Sequence, residues 1–291
     1  MNESESPPQT TAVWQGTPER LDRAIAALAL SRSRSHAATL IASGRVLINN
    51  RAASKSSCTV QGGDEVRIRR DTTDSYVSRA ATKLLYALEQ FEVSAKDKHC
   101  LDLGASTGGF TQVLKNHGAK TVIALDVGHG QLAQSVAEMP GVVKVEGFNA
   151  RELTAAKLQQ VSGLADPPTL VVGDLSFISL KLILPAIALT APAAADLVML
   201  IKPQFEVGRQ NLQNGIVKDE AIAQQAVREV LTAAHKIGYT AVALARSPIT
   251  GTHGNTEYLV HWRAHSHPAV QAETQQTAAG QLEILFKSEN P

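Results

Sequence analysis

The sequence predicts an α/β protein in two parts. A small, basic α+β module comes first, and a larger domain on a mostly parallel seven-stranded sheet follows. Three observations carry that expectation. Seven apolar runs, at residues 99–103, 121–127, 142–146, 169–173, 196–201, 240–245 and 257–262, are separated by helix-compatible stretches except between the last two. Strands alternating with helices imply a sheet covered on both faces. The chain has 291 residues, 44% of them hydrophobic and 19% charged, which suits one large core and a smaller one and excludes a wholly disordered chain. Finally, residues 18–70 hold ten bases (Arg20, Arg23, Arg32, Arg34, Arg45, Arg51, Lys55, Arg67, Arg69 and Arg70) against four acids (Glu19, Asp22, Asp64 and Glu65), although the whole chain carries only +1.

From the amino end, MNESESPPQTTA lacks the basic-then-apolar pattern of a signal peptide and reads as part of a disordered lead-in over 1–17. Residues 19–30 place Leu21, Ile25, Leu28 and Ala29 on one helical face. The serines of SRSRS supply caps for a second helix, which runs to Ser43 and ends at Gly44. RVLINN and GGDEVRI read as short strands. The basic excess suits a phosphate-rich partner, because basic side chains bind nucleic acid by releasing its counterions. RLDRAIAAL, SRSRSHAATLIASGRVLINN and GGDEVRI together resemble the alpha-L RNA-binding motif, first described in a small-subunit ribosomal protein. Asn50 stands where that motif usually has glycine. The resemblance implies an RNA-facing domain over 18–70, with Arg20, Arg23, Arg32, Arg34 and Arg45 as RNA contacts. A linker over 71–79 follows.

LDLGASTGGF (101–110) is strand, glycine turn and helix start. Such a turn lets a ligand approach the backbone, and the helix start offers free N–H groups. Three readings compete. Asp126, 22 residues beyond Gly104, supports dinucleotide binding, yet the spacing is G-x-x-x-G-G, not G-x-G-x-x-G. Residues 104–108 formally fit the G-x-S-x-G elbow of a serine hydrolase, with Ser106 as nucleophile, but such an elbow normally follows several strands. S-adenosylmethionine has no pyrophosphate, so a looser turn suffices for it. Gly104, Ser106, Gly108 and Asp126 are then the cofactor residues, with Asp102 or the turn backbone at the methionine end and Asn149 near the adenine.

Asp174 and Lys202 end the fourth and fifth apolar runs, where open sheets bind ligands. Lys83 opens the helix before the first run, and Glu257 begins the last. This ordered set is similar to the Lys-Asp-Lys-Glu tetrad of FtsJ-type ribose 2′-O-methyltransferases. YVSR, LDLGASTGGF, ALDVGHGQLA, DLSFISL, IKPQFEVGR and GNTEYL resemble the TlyA family within that group. With the basic module, the resemblance spans about residues 19–263, and Ala80-Ala81 is a departure where a glycine pair is usual. It implies a Rossmann-like, seven-stranded, S-adenosylmethionine-dependent methyltransferase domain over 80–264 and a tail over 265–291. The expected activity is ribose 2′-O-methylation of ribosomal RNA, on cytidine, in one or both subunits. Some members of the family were named haemolysins.

A ribose hydroxyl must lose its proton as it attacks, and a lysine takes that proton only where burial and a second cation depress its pKa. Lys202 with Lys83 beside it meets that need, Asp174 and Glu257 orienting the amines. Phe205, just past Lys202, is placed to stack on a base. Ribosomal RNA or ribosomal subunits are the expected partners, and a non-catalytic ribosome assembly factor and the hydrolase are the alternatives. No membrane span is expected: the best apolar stretch, 186–201, contains Pro192 and Asp196. No metal is expected, because Cys58, Cys100 and the nine histidines lack ligand spacing. A cytoplasmic location is the default.

Overall fold

The computed structural model describes residues 9–31, 33–70, 72–251 and 254–267. Arg32, residues 1–8 of the expected lead-in, and the tail from 268 onward with its apolar run at 282–286 lie outside the described residues. The chain divides into two units, 1–75 and 76–291.

The first unit runs β1 (Gln9–Val13), β2 (Glu19–Arg20), α1 (Leu21–Ala27), α2 (Arg34–Ala42), β3 (Val46–Ile48), β4 (Arg51–Ala52), β5 (Thr59–Val60) and β6 (Glu65–Arg69). Its main sheet has the order β1-β6-β3-β4, and β2 pairs with β5. Leu21, Ala24 and Ile25 of α1 pack with Leu40 and Ile41 of α2 over Val46, Val66 and Ile68. Asn49 and Asn50 take φ of +48° and +64° in the turn from β3 to β4, a conformation asparagine tolerates almost as well as glycine. The lead-in expectation needs correction. Gln9 to Val13 pair antiparallel with Arg69 to Glu65, and Ala12 and Trp14 pack against the core of this unit. The β-branched Thr10, Thr11 and Val13 favour that extended form, and β1 covers what would otherwise be an open edge of β6. The linker expected at 71–79 is divided: Thr72–Ser75 form a 3₁₀ turn in the first unit, while Tyr76 is buried in a core of the second.

The second unit begins with α3 (Ala81–Gln90), β7 (His99–Leu103), α4 (Gly109–Asn116), β8 (Thr121–Leu125), α5 (Gln134–Ala137), β9 (Val142–Val145) and α6 (Ala155–Ser162). It continues with β10 (Leu170–Gly173), α7 (Leu184–Ala188), β11 (Asp196–Ile201), α8 (Pro203–Glu206), α9 (Glu220–Lys236), β12 (Tyr239–Arg246) and β13 (Tyr258–Ala264). The seven-stranded sheet has the order β12-β13-β11-β10-β7-β8-β9. The five strands from β11 to β9 are parallel, and β13 inserts antiparallel between β11 and β12. Every residue of β11 is buried, as expected of a strand covered on both faces. Leu101, Val171, Leu197 and Trp262 face one core with α7 and α9; Cys100, Val172, Val198 and Leu259 face the other with α3 and α4.

Strand direction positions the site. Because β13 runs against β11, Ile201 lies opposite Tyr258, so Lys202 and Glu257 emerge at one edge of the sheet. Gly173 pairs with both Met199 and Leu103, which brings Asp174 to the same edge beside the turn after β7. Ala80 takes an ordinary helical conformation (φ −58°, ψ −29°) and Ala81 is fully buried, so the path to Lys83 does not require glycine.

Candidate active site

Lys83, Asp174, Lys202 and Glu257 form a continuous ion-paired chain. Lys202 Nζ is 2.6 Å from Asp174 Oδ1, Lys83 Nζ is 3.2 Å from Asp174 Oδ2, and Lys83 Nζ is 2.6 Å from Glu257 Oε2. Lys83, Lys202 and Glu257 are buried. Lys202 Nζ also donates to Ser176 Oγ at 2.8 Å. Burial pushes the Asp174 carboxyl up, but the charges of Lys202 and Lys83 outweigh it and hold the group below its ordinary value. Gly251 is bare for a reason: a Cβ there would sit 2.5 Å from Glu257 Oε1. Local sequence explains the placement. Lys83 lies in the first turn of α3, whose Ala81, Leu84, Ala87 and Leu88 are buried and anchor it. Pro203 at the start of α8 turns the chain out of β11 at Lys202.

The four groups line one cavity of about 210 Å³ together with Ser78, Arg79, Ser176, Gly251 and the turn residues Gly104, Ala105, Ser106, Thr107 and Gly109. Gly104 and Gly108 take φ of +78° and +94°, and Ser106 takes +47°, which bends the backbone around the cavity. Asp126, at the end of β8, accepts from Ser106 N and Gly128 N, both at 2.8 Å. Ser106 Oγ donates to Gln131 Oε1 at 3.2 Å, and no histidine among the described residues bonds to it. The turn therefore has the form of a ligand cradle, and the hydrolase arrangement is missing from it.

Two expected cofactor residues also make structural bonds. Strand alternation sends Asp102 under α4, where it is fully buried and its Oδ2 accepts from Thr111 Oγ1 at 2.7 Å. Burial pushes its carboxyl up to about 7, the bonds from Thr111 opposing and the charge of Asp174 adding. Asn149 is exposed and caps the next 3₁₀ turn by accepting from Arg151 N.

Beside Lys202, the Phe205 ring centroid lies 5.9 Å from Nζ and 5.2 Å from the ring centroid of Phe177. Phe177 is 90% exposed and holds a φ of +63°, a conformation that normally costs a non-glycine residue about 1–3 kcal/mol. The sequence reading did not single out Phe177, Ser176, Gln131 or Gln204, whose Nε2 is 3.3 Å from Glu257 Oε1. Their place inside DLSF, GHGQ and KPQF, next to residues already chosen, was the available signal.

In the first unit, Arg20 and Arg34 both pair with the buried Asp22 (3.0 and 3.1 Å), and Arg23 lies 3.6 Å from Glu19. All three keep exposed side-chain surface. Arg45 is turned inward, donating to Arg69 O and pairing with Asp74. Among the described residues no group of three or more His, Cys, Asp or Glu side chains is arranged to hold a metal, and no helix is long and apolar enough to cross a membrane.

Comparison with known proteins gives the family. The FtsJ-like methyltransferase family matches residues 76–264 and the S4 domain family matches 19–66. The 16S/23S rRNA (cytidine-2′-O)-methyltransferase TlyA of Mycobacterium tuberculosis is 42% identical over 87% of this chain and 93% of its own length. Hemolysin A of Brachyspira hyodysenteriae is 36% identical over 84% of this chain and 99% of its own. The structure of a hemolysin-like protein from Streptococcus thermophilus superposes with a TM-score of 0.68 at 34% identity, covering 94% of this chain and 98% of that one. With an S4 domain ahead of a sheet whose edge carries the Lys-Asp-Lys-Glu chain, this protein belongs to the FtsJ-like methyltransferase family, in the group that contains TlyA.

Proposed function

We propose that the protein methylates the ribose 2′-oxygen of a cytidine in ribosomal RNA, using S-adenosylmethionine. The observation that carries this reading is the buried ion-paired chain from Lys202 through Asp174 and Lys83 to Glu257, which lines one cavity together with the glycine turn. The donor supplies an electrophilic methyl group on a positively charged sulfur. Gly104, Ser106 and Gly108 would cradle it, and Asp126 would accept from its ribose hydroxyls. Asn149 would lie near its adenine, while Asp102 braces the turn from beneath through Thr111. The tetrad holds two lysines and two carboxylates; when Lys202 is neutral the remaining three groups carry −1, which suits a cationic donor.

Asp174 orients the two amines. Lys202 takes the proton from the 2′-hydroxyl as the new carbon–oxygen bond forms and the methyl–sulfur bond breaks. Lys83, fixed between Asp174 and Glu257, supplies the neighbouring cation. Alignment of oxygen, methyl and sulfur supplies much of the acceleration. Phe205, with Phe177, offers an aromatic surface for the base of a nucleotide drawn out of its stack. Arg20, Arg23 and Arg34 of the first unit would engage RNA phosphates.

The test is methyl incorporation from labelled S-adenosylmethionine into separate, unmodified small and large ribosomal subunits, with wild type and Lys202→Ala. Label at a ribose 2′-oxygen with wild type alone supports the reading and names the subunit. Label that persists in the variant removes Lys202 as the base. No label despite donor binding favours an assembly factor that keeps the methyltransferase fold.

A further inference from the structure

Two short segments carry cavity-lining groups and the aromatic pair beside them: residues 174–180 after β10, with Ser176 and Phe177, and residues 202–206, with Lys202 and Phe205. One bridge between them is Lys202, which pairs with Asp174 at 2.6 Å and donates to Ser176 Oγ at 2.8 Å. The other is Glu206, whose Oε2 accepts from Ser179 Oγ at 2.5 Å and whose Oε1 accepts from Leu180 N at 2.7 Å. We propose that Glu206 is a positioning residue for the RNA substrate: it ties the two segments together so that Phe177 and Phe205 present one surface to the nucleotide being methylated. The proposal rests on the nucleotide-stacking role given to these rings above.

Three features argue that this bridge serves the rings and is more than a helix cap. The 3₁₀ turn at Leu180–Leu182 already has a local cap, since Ser179 Oγ accepts from Lys181 N at 3.2 Å. Glu206 reaches it from a different element, α8, a four-residue turn too short to hold its own orientation. Phe177 keeps its left-handed backbone and its 90% exposure only three residues before Leu180, so an otherwise unfavourable conformation is pinned from both sides. Burial pushes the Glu206 carboxyl up, the bonds from Ser179 and Leu180 opposing. The other charged groups acting on it are Lys181 and Glu229, which are engaged with each other at 3.0 Å.

A double-mutant cycle tests the proposal: wild type, Phe177→Ala, Glu206→Ala and the double variant, assayed for kcat/KM on the ribosomal subunit that accepts label. Donor affinity by calorimetry and thermal stability are measured alongside. Phe177→Ala should lose about tenfold, as base–aromatic stacking predicts. Glu206→Ala should lose about fivefold and Glu206→Gln about twofold, since the amide keeps one acceptor. The double variant should fall within about twofold of Phe177→Ala alone, with donor affinity unchanged throughout. Multiplying losses, about fiftyfold in the double variant, would show that Glu206 acts independently of the ring and overturn the proposal. So would a fully active Glu206→Ala, or one that loses donor affinity in parallel with methyl transfer. A fully active Phe177→Ala would instead refute the stacking role on which the proposal rests. Should Glu206→Ala fail to fold, Ser179→Ala opens one of the same bonds from the other end and takes its place in the cycle.

Discussion

Asp174→Asn is the most informative single change, because one buried carboxylate holds two ammonium groups. It lies 2.6 Å from Lys202 Nζ and 3.2 Å from Lys83 Nζ. At an effective dielectric of about 20 those separations correspond to attractions of roughly 6 and 5 kcal/mol, most of which desolvation offsets. The two lysines are not stranded equally. Lys83 keeps Glu257 at 2.6 Å, whereas Lys202 keeps the Ser176 hydroxyl and the Phe205 ring, neither of them an anion. The variant therefore leaves one unpaired buried cation, a defect that costs about 3–5 kcal/mol. The assay is urea unfolding followed by Trp262 fluorescence in a Trp14→Phe background, because Trp14 and Trp262 are the two tryptophans of the chain and Trp262 is fully buried in the second unit. With a slope of about 3 kcal/mol per molar, the midpoint should drop by about 1–2 M. The sign with pH follows from the lowered carboxyl: its stabilisation is present above the unfolded value near 4 and is lost as pH falls through the lower folded one. The gap between wild type and variant should thus close in acid. A midpoint within about 0.3 M of wild type at pH 7 would refute the electrostatic account of the tetrad.

Other consequences are equally direct. Lys202→Met should lower kcat by about 10³-fold while leaving donor affinity within about threefold, checked by single-turnover label transfer and calorimetry. Asp126→Ala should weaken donor binding at least about tenfold, because it removes both the expected ribose acceptor and the anchor of Ser106 N. Ser106→Ala should keep methyl transfer within about fivefold, an outcome incompatible with a nucleophilic serine. Asp102 titrates in the opposite sense to Asp174. Its folded value near 7 lies above the unfolded one, so it costs stability as pH rises from about 4 to 7. Asp102→Asn should flatten that slope in unfolding titrations between pH 5 and 8.

The strands of the second unit were readable because runs such as LVMLI (197–201) are buried on both faces and carry no competing helical period. Asp174 and Lys202 were readable for the same reason, as charges that abruptly end such runs. What could not be read depends on distant partners. QTTAV forms β1 only because β6, more than fifty residues on, leaves an edge for it. Arg45 looked like its neighbours until Asp74 and the Arg69 carbonyl engaged it. Asp102 sits in the ligand motif, yet a single step of strand alternation turns it under Thr111. The exposure of Phe177 comes from a left-handed backbone that no propensity for phenylalanine suggests.

The antiparallel insertion of β13 also bears on the order in which the protein becomes competent. The donor side of the cavity is local: the turn at 104–109, Asp126 and Gln131 come from one short stretch of chain. The acceptor side closes only when residue 257 is delivered by a strand that must slot between two others already separated by 37 residues of chain. Such long-range pairing is slow to form. A growing chain can thus assemble a donor pocket well before it has Glu257 to fix Lys83. On the proposed function, methyl transfer would switch on late, as a property of the finished sheet.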